Sequence, residues 1–208
     1  MMPSKAFSGR VIFDHLPKTA GQAINAWLIE ELGSGSVTPN LIGAHQDLIR
    51  QYGGIYSIIS AHIQFDIQEA LDPRYQYITV FREPVERVVS WLYFVINNHD
   101  DTQLPETRAE AIQVLQSNGR DIPSPILNHI SNGYVEHFCR INGTGLESDS
   151  EKVANAFLII QQYDAVGLFH EIPQFLADVS QLISIPMQKE IARVNVTNKR
   201  PEVKKFIA

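Results

Sequence analysis

Arg10-Val11-Ile12-Phe13-Asp14-His15-Leu16-Pro17-Lys18-Thr19-Ala20-Gly21-Gln22-Ala23, running into the apolar-periodic segment Ile24 to Leu32, is the stretch whose reading decides the fold. Val11, Ile12 and Phe13 are residue types that suit a buried strand. Pro17 cannot continue a hydrogen-bonded ladder. Ala20 and Gly21 let backbone N–H groups approach a ligand at the positive end of the helix that follows. The order is therefore strand, anion-binding turn, helix, and Lys18 places a mobile cation beside the turn. Such a turn suits a phosphate or sulfate ester. The consensus G-x-x-x-x-G-K-[ST] of nucleoside triphosphatases is absent, because here the lysine precedes the glycine.

A second stretch has the same layout. Tyr77-Ile78-Thr79-Val80-Phe81 reads as a buried strand and runs into Arg82-Glu83-Pro84-Val85-Glu86-Arg87-Val88-Val89-Ser90. Pro84 suits a first helical turn. Val85, Val88, Val89, Leu92, Tyr93 and Ile96 recur at the spacing that buries one face of a helix. Ser90 lies off that stripe, where its hydroxyl could face a ligand, and Arg82 offers a guanidinium fork suited to phosphate. Arg87, with Glu83 and Glu86 so near, reads as a structural ion pair.

Between these stretches, a helix over 21–32 is stopped by Gly33-Ser34-Gly35-Ser36. A short strand falls within 37–44 and a short helix over 45–52. A further strand covers 55–60, followed by Ala61-His62-Ile63-Gln64-Phe65 and a helical piece to Leu71. This alternation predicts a parallel sheet with helices on its faces, and ligands in such sheets gather at the carboxyl ends of the strands. Three of those ends carry Lys18, His62 and Arg82.

The pair of motifs, His15-Leu16-Pro17-Lys18-Thr19-Ala20-Gly21 and Arg82-Glu83-Pro84-Val85-Glu86-Arg87 with Ser90 beyond it, resembles the carbohydrate sulfotransferases related to heparan sulfate 2-O-sulfotransferase. The resemblance implies an α/β fold, a P-loop-like parallel sheet flanked by helices in a single domain. It implies 3′-phosphoadenosine 5′-phosphosulfate (PAPS) as donor and the 3′,5′-bisphosphate PAP as product. Pro17, Lys18, Thr19, Ala20, Gly21, Gln22 and Ala23 would then hold the 5′-phosphosulfate, and Arg82 with Ser90 the 3′-phosphate. Ala61-His62-Ile63-Gln64-Phe65 is similar to a family segment that carries a histidine, which assigns His62 as the base for the acceptor hydroxyl. Lys18 would be the second catalytic residue, neutralising the leaving phosphate oxygen. His15 would hydrogen-bond the turn, and His45 has no motif behind it. Where the family usually has hydroxyl residues after the glycine, this chain has Gln22 and Ala23, so backbone N–H groups must do more.

A chain of 208 residues is one domain's worth, and 44% hydrophobic with 19% charged residues is an ordinary globular composition. Residues 98–147 are less patterned and read as an insert for acceptor recognition. There His99, Arg108, Arg120, His129, His137 and Arg140 could meet an acidic sugar or be ordinary surface charges. Order returns with a helix over 151–162, a strand over 165–168 and an amphipathic helix over 172–183. Arg193-Val194-Asn195-Val196-Thr197 resembles a late family segment, and Lys199 and Arg200 either approach the phosphates or form a solvated basic tail. Chains of the resembled family usually continue into a further helix, whereas this sequence stops at Ala208, as a minimal version or a shortened chain would.

A net charge of −6 argues against nucleic acid as partner, and a polyanionic acceptor would need a local basic groove. No signal peptide is recognisable and no stretch approaches the ~18 apolar residues of a membrane helix, so the expectation is a soluble, cytoplasmic protein. Cys139 is the only cysteine, which rules out an intrachain disulfide, and no Cys/His cluster has metal-ligand spacing. The functional expectation is a PAPS-dependent sulfotransferase acting on a hydroxyl, on a carbohydrate by resemblance, with small metabolites and tyrosine side chains still open. A kinase-like phosphotransferase and a non-catalytic nucleotide-binding module stay open at this point.

Overall fold

A computed structural model describes residues 9–98, 105–143 and 148–186. The chain forms two compact units. One holds the described residues up to Arg82 and from Tyr134 onward, the other Glu83–Gly133.

The first unit is built on five strands, β1 (Val11–Asp14), β2 (Leu41–Ala44), β3 (Ile58–Gln64), β4 (Gln76–Phe81) and β5 (Ala165–Leu168). They form one all-parallel sheet in the order β2-β3-β1-β4-β5. β1 is central, with Asp14 opposite Ala61 of β3 and Thr79 of β4. Alternation along β1 feeds two cores. Val11 and Phe13 join Ile58, Ile78 and Val80 under α1 (Gly21–Leu32) and α8 (Ile172–Leu182), with Ile24, Trp27, Leu28, Phe175 and Val179 filling that layer. Ile12 instead joins Ile59, Ala61, Ile63 and Tyr77. Their layer is completed by α2 (His45–Tyr52), α6 (Gly133–Phe138) and α7 (Asp149–Ile160) through Leu48, Phe138 and Ile159. Burial on both faces explains why the strands read as continuous apolar runs.

The second unit comprises α3 (Pro84–Asn98), α4 (Pro105–Gln116) and α5 (Ser124–Ile130). Its core is Leu92, Tyr93, Val95, Ile96, Ala111, Val114, Leu115 and Ile126. The apolar stripe expected on α3 holds from Val88 onward, with Val88 and Val89 half-buried against that core, but Val85 is 67% exposed, because the first turn of the helix lies outside it. Glu83 caps this turn. Its carboxylate accepts from the N–H of Val85 (3.1 Å) and of Glu86 (2.7 Å).

Two boundaries differ from the sequence reading. β3 starts at Ile58 and runs to Gln64, so His62 lies inside a strand, whereas Ile55 is exposed in the turn before it. The short strand expected within 37–44 is β2, preceded by a single parallel bridge from Val37 to Ile58. The helical piece to Leu71 is absent. Side chains take the backbone groups instead: Asp66 N–H donates to Glu69 Oε2 (2.9 Å) and Asp72 N–H to the Tyr77 hydroxyl (2.8 Å), which gives the segment an alternative to helix. No described helix is long and apolar enough to cross a membrane.

Candidate functional site

β1 stops at Asp14 and the chain turns sharply before α1. Leu16 N–H donates to Asp14 O (3.1 Å), and the buried Thr19 hydroxyl donates to Leu16 O (2.8 Å), so this hydroxyl is committed to the turn. Lys18 and Ala20 both lie in the left-handed region, at φ 67° and 71°. For residues with a Cβ that conformation costs about 1–2 kcal/mol each. Left-handed residues alternating through a turn make the backbone concavity that receives anions. α1 then begins without a side-chain cap and without an acidic residue in its first turn, leaving its positive end uncompensated. The N–H groups of Ala23 and Ile24 turn back onto Ala20 O (3.0 and 3.1 Å), so Ala23 serves the cap of the helix. Pro17 and Gln22 are exposed and Gly21 is buried.

Gly21 is required by His15. A Cβ on Gly21 would stand 1.6 Å from His15 Cδ2 and 1.9 Å from Nε2. His15 is 4% exposed, and its Nδ1–H donates to Asn40 Oδ1 (3.2 Å). Burial first, then the neighbouring His62, lowers its pKa to about 3, so the ring stays neutral and acts as a wedge under the turn. It supports the turn by packing against Gly21, whereas its hydrogen bond goes to Asn40, outside the turn, and not to the turn as expected.

His62 is half-buried near the end of β3. Its Nδ1 pairs with the carbonyl of His15, and because a carbonyl oxygen only accepts, Nδ1 carries the proton. Nε2 of the neutral ring therefore holds the lone pair, and it meets no hydrogen-bonding partner among the described residues. The His15 and His62 rings are 4.2 Å apart. Burial above all lowers the His62 pKa below its ordinary 6.5, which leaves it unprotonated at neutral pH.

Arg82 follows β4, and its backbone is fixed from both sides by one phenol. Tyr134 donates its hydroxyl proton to Arg82 O (2.8 Å) and accepts from Arg82 N–H (3.1 Å). The guanidinium lies over the Phe169 ring, 4.4 Å from its centroid, in cation–π contact. Lys18 feels this charge. Burial first and Arg82 second lower its pKa, so the sheet's carboxyl edge brings two cations into electrostatic range. That arrangement is relieved by an anion beside both.

The structure thus gathers Lys18, His15, His62 and Arg82 at one edge of the first unit. Ser90 is half-buried on α3, in the second unit. Arg87 shares that unit, where its guanidinium lies close over Gly133, and a Cβ there would be 2.7 Å from Nη2. Of the candidate acceptor contacts, Arg108, Arg120 and His129 belong to the second unit, His137 and Arg140 to the first. His99, Arg193–Thr197, Lys199 and Arg200 lie outside the described residues. His45 is buried and engaged, with Nδ1 donating to Glu69 Oε1 (2.6 Å) and Nε2 on the Tyr77 hydroxyl (2.8 Å). Among the described residues no group of three or more His, Cys, Asp or Glu could hold a metal ion.

Tyr134 and Phe169 went unrecognised in the sequence, and so did the carboxylate of Asp14. Only Asp14 left a signal, as a charge closing an otherwise apolar strand. No protein-family model and no curated protein matches this chain. The chemistry therefore rests on the residues: a left-handed turn at an uncapped helix start, two cations, and an imidazole with one uncommitted nitrogen.

Proposed function

We propose that this protein transfers a sulfuryl group from PAPS to a hydroxyl, on a carbohydrate acceptor. The observation that supports it most is the combination at one sheet edge of an anion turn at Lys18–Gly21, the second cation Arg82, and His62 with its proton on Nδ1. Phosphate binding alone would not call for a base. PAPS, the donor substrate, supplies a sulfuryl group that leaves its 5′-phosphate oxygen as the acceptor oxygen bonds to sulfur.

The chain's own residues do the rest. The turn N–H groups and the start of α1 bind and orient the 5′-phosphate. Lys18 neutralises the charge that grows on the departing oxygen, a contribution of about 3–4 kcal/mol for a well-placed group. His62 Nε2 takes the acceptor proton. Arg82 holds the 3′-phosphate and so selects against ATP, which lacks one. Thr19 acts by shaping the turn, since its hydroxyl is engaged with Leu16 O. Positioning and charge stabilisation carry such reactions, with little covalent work for the protein.

The test is transfer of radiolabelled sulfate from PAPS to a panel of glycans, small alcohols and tyrosine peptides. Wild type should label glycans, and His62→Ala should lose about 10²-fold or more of the rate while still binding PAP. Absence of labelling across the panel, with PAP bound, would leave a nucleotide-binding module in place of an enzyme.

A further inference from the structure

The sheet register brings an aromatic ring to Arg82. Phe81 of β4 stands opposite Leu168 of β5, so the next residue on each, Arg82 and Phe169, leaves the sheet at the same level on neighbouring strands, which lie about 5 Å apart. The Arg82 guanidinium lies over the Phe169 ring, 4.4 Å from its centroid. That ring is half-buried and carried by a rigid segment. Leu168 before it is paired in the sheet, and the single tight helical turn Phe169–Glu171 runs directly into α8. α8 is anchored in the core by Phe175, Leu176 and Val179. Gly167 lets it come close to β5, because a Cβ there would stand 2.6 Å from Phe175 Cβ. The backbone of Arg82 is fixed independently by Tyr134, whose hydroxyl meets both its N–H and its carbonyl and whose ring packs edge-on against Phe81, centroids 4.9 Å apart. Backbone and charged tip of one arginine are therefore each held by an aromatic residue.

A ring attracts a guanidinium without neutralising its charge and without occupying its N–H donors, both of which a carboxylate would do. An arginine laid out on a ring has given up part of its rotamer freedom before a ligand arrives, so less is lost on binding. We propose that Phe169 is a positioning residue for the 3′-phosphate: its ring holds the Arg82 guanidinium ready for that group. The inference rests on the sulfuryl-transfer reading, in which Arg82 is the 3′-phosphate contact. It makes Phe169 part of how the protein tells a nucleotide with a 3′-phosphate from one without. A Phe169 that merely joined β5 to α8 would leave that preference untouched.

The test is calorimetry on the full chain with PAP and with adenosine 5′-phosphate, which differ only in the 3′-phosphate. In Phe169→Leu the affinity for PAP should fall about threefold or more, while that for adenosine 5′-phosphate stays the same. Phe169→Tyr, which keeps the ring face, should bind PAP as wild type does. In an Arg82→Ala background the Phe169→Leu change should cost nothing further. Unchanged PAP affinity in Phe169→Leu, an equal fall for both nucleotides, the same fall in the Arg82→Ala background, or a Phe169→Tyr that binds no better than Phe169→Leu overturns the proposal. If Phe169→Leu does not fold, a fluorinated phenylalanine in place of Phe169 decides, because it keeps the shape of the ring and withdraws charge from its face. It too should weaken PAP alone, and unchanged affinity overturns the proposal. No binding of PAP by wild type defeats the sulfuryl-transfer reading and this inference with it, whereas PAP binding that ignores Phe169 defeats the inference and leaves that reading standing.

Discussion

A histidine whose Nδ1 proton is committed to a backbone carbonyl has one nitrogen left for chemistry, and that separates His62 from His15 and His45. His15 is buried against Gly21, and His45 is engaged at both nitrogens. His15 makes stability depend on pH. Its pKa is 6.5 when unfolded and about 3 when folded, so the unfolded chain takes up the proton first. The stability contributed by neutral His15 is complete above pH 6.5 and is lost as pH falls toward 3, at up to ~1.4 kcal/mol per pH unit. Urea unfolding of wild type and His15→Gln over this range should show the smaller slope in the variant. Equal slopes would mean that His15 is not held neutral. Gly21→Ala tests the wedge directly. The added Cβ must displace the His15 ring, so the variant should lose about 1–3 kcal/mol of stability and bind PAP at least ~10-fold more weakly. Unchanged melting and affinity would show that the turn does not depend on this contact.

At the scale of elements, the site is set by how strands end. Val11–Phe13 and Tyr77–Phe81 were legible because strands buried on both faces leave largely apolar runs, and the turn after β1 was legible from Pro17 and Gly21. The extension of β3 to Gln64 was not. Ala61-His62-Ile63-Gln64 alternates, but a polar residue at every second place reads equally well as a loop. The piece after Phe65 and up to Leu71 was misread as helical for a related reason. Its structure depends on Tyr77, whose hydroxyl accepts from Asp72 N–H and contacts His45, a long-range condition that no local pattern carries. Tyr77→Phe removes that acceptor and should cost about 1–3 kcal/mol, read from the urea midpoint. A value near zero would mean that the segment is held by other contacts. In the second unit, Glu83 supplies the cap of α3, so Glu83→Ala should lower stability by about 1 kcal/mol, measured by thermal unfolding. No change would remove Glu83 from the account of how that helix starts.

For the whole molecule, the order of elements was enough to foresee a parallel α/β sheet with Lys18, His62 and Arg82 at its carboxyl edge, since parallel connections leave few alternatives. The sequence did not disclose that Glu83–Gly133 forms a compact unit of its own, beginning one residue after Arg82. α5 and α6 also escaped the reading, being seven and six residues long, too short for an apolar period to repeat. The same limit hid Tyr134, whose importance lies in meeting the Arg82 backbone from a position 52 residues away.

The central claim is that this sheet edge is built for a nucleotide bearing both a 5′- and a 3′-phosphate. Calorimetric titration of PAP into wild type and Arg82→Ala, with ATP as the control ligand, tests it most directly. The account predicts that PAP binds wild type, that Arg82→Ala weakens it by about tenfold or more, equivalent to ~1.4 kcal/mol, and that ATP binds far more weakly than PAP. Equal binding of ATP and PAP, or no binding of PAP, would contradict it.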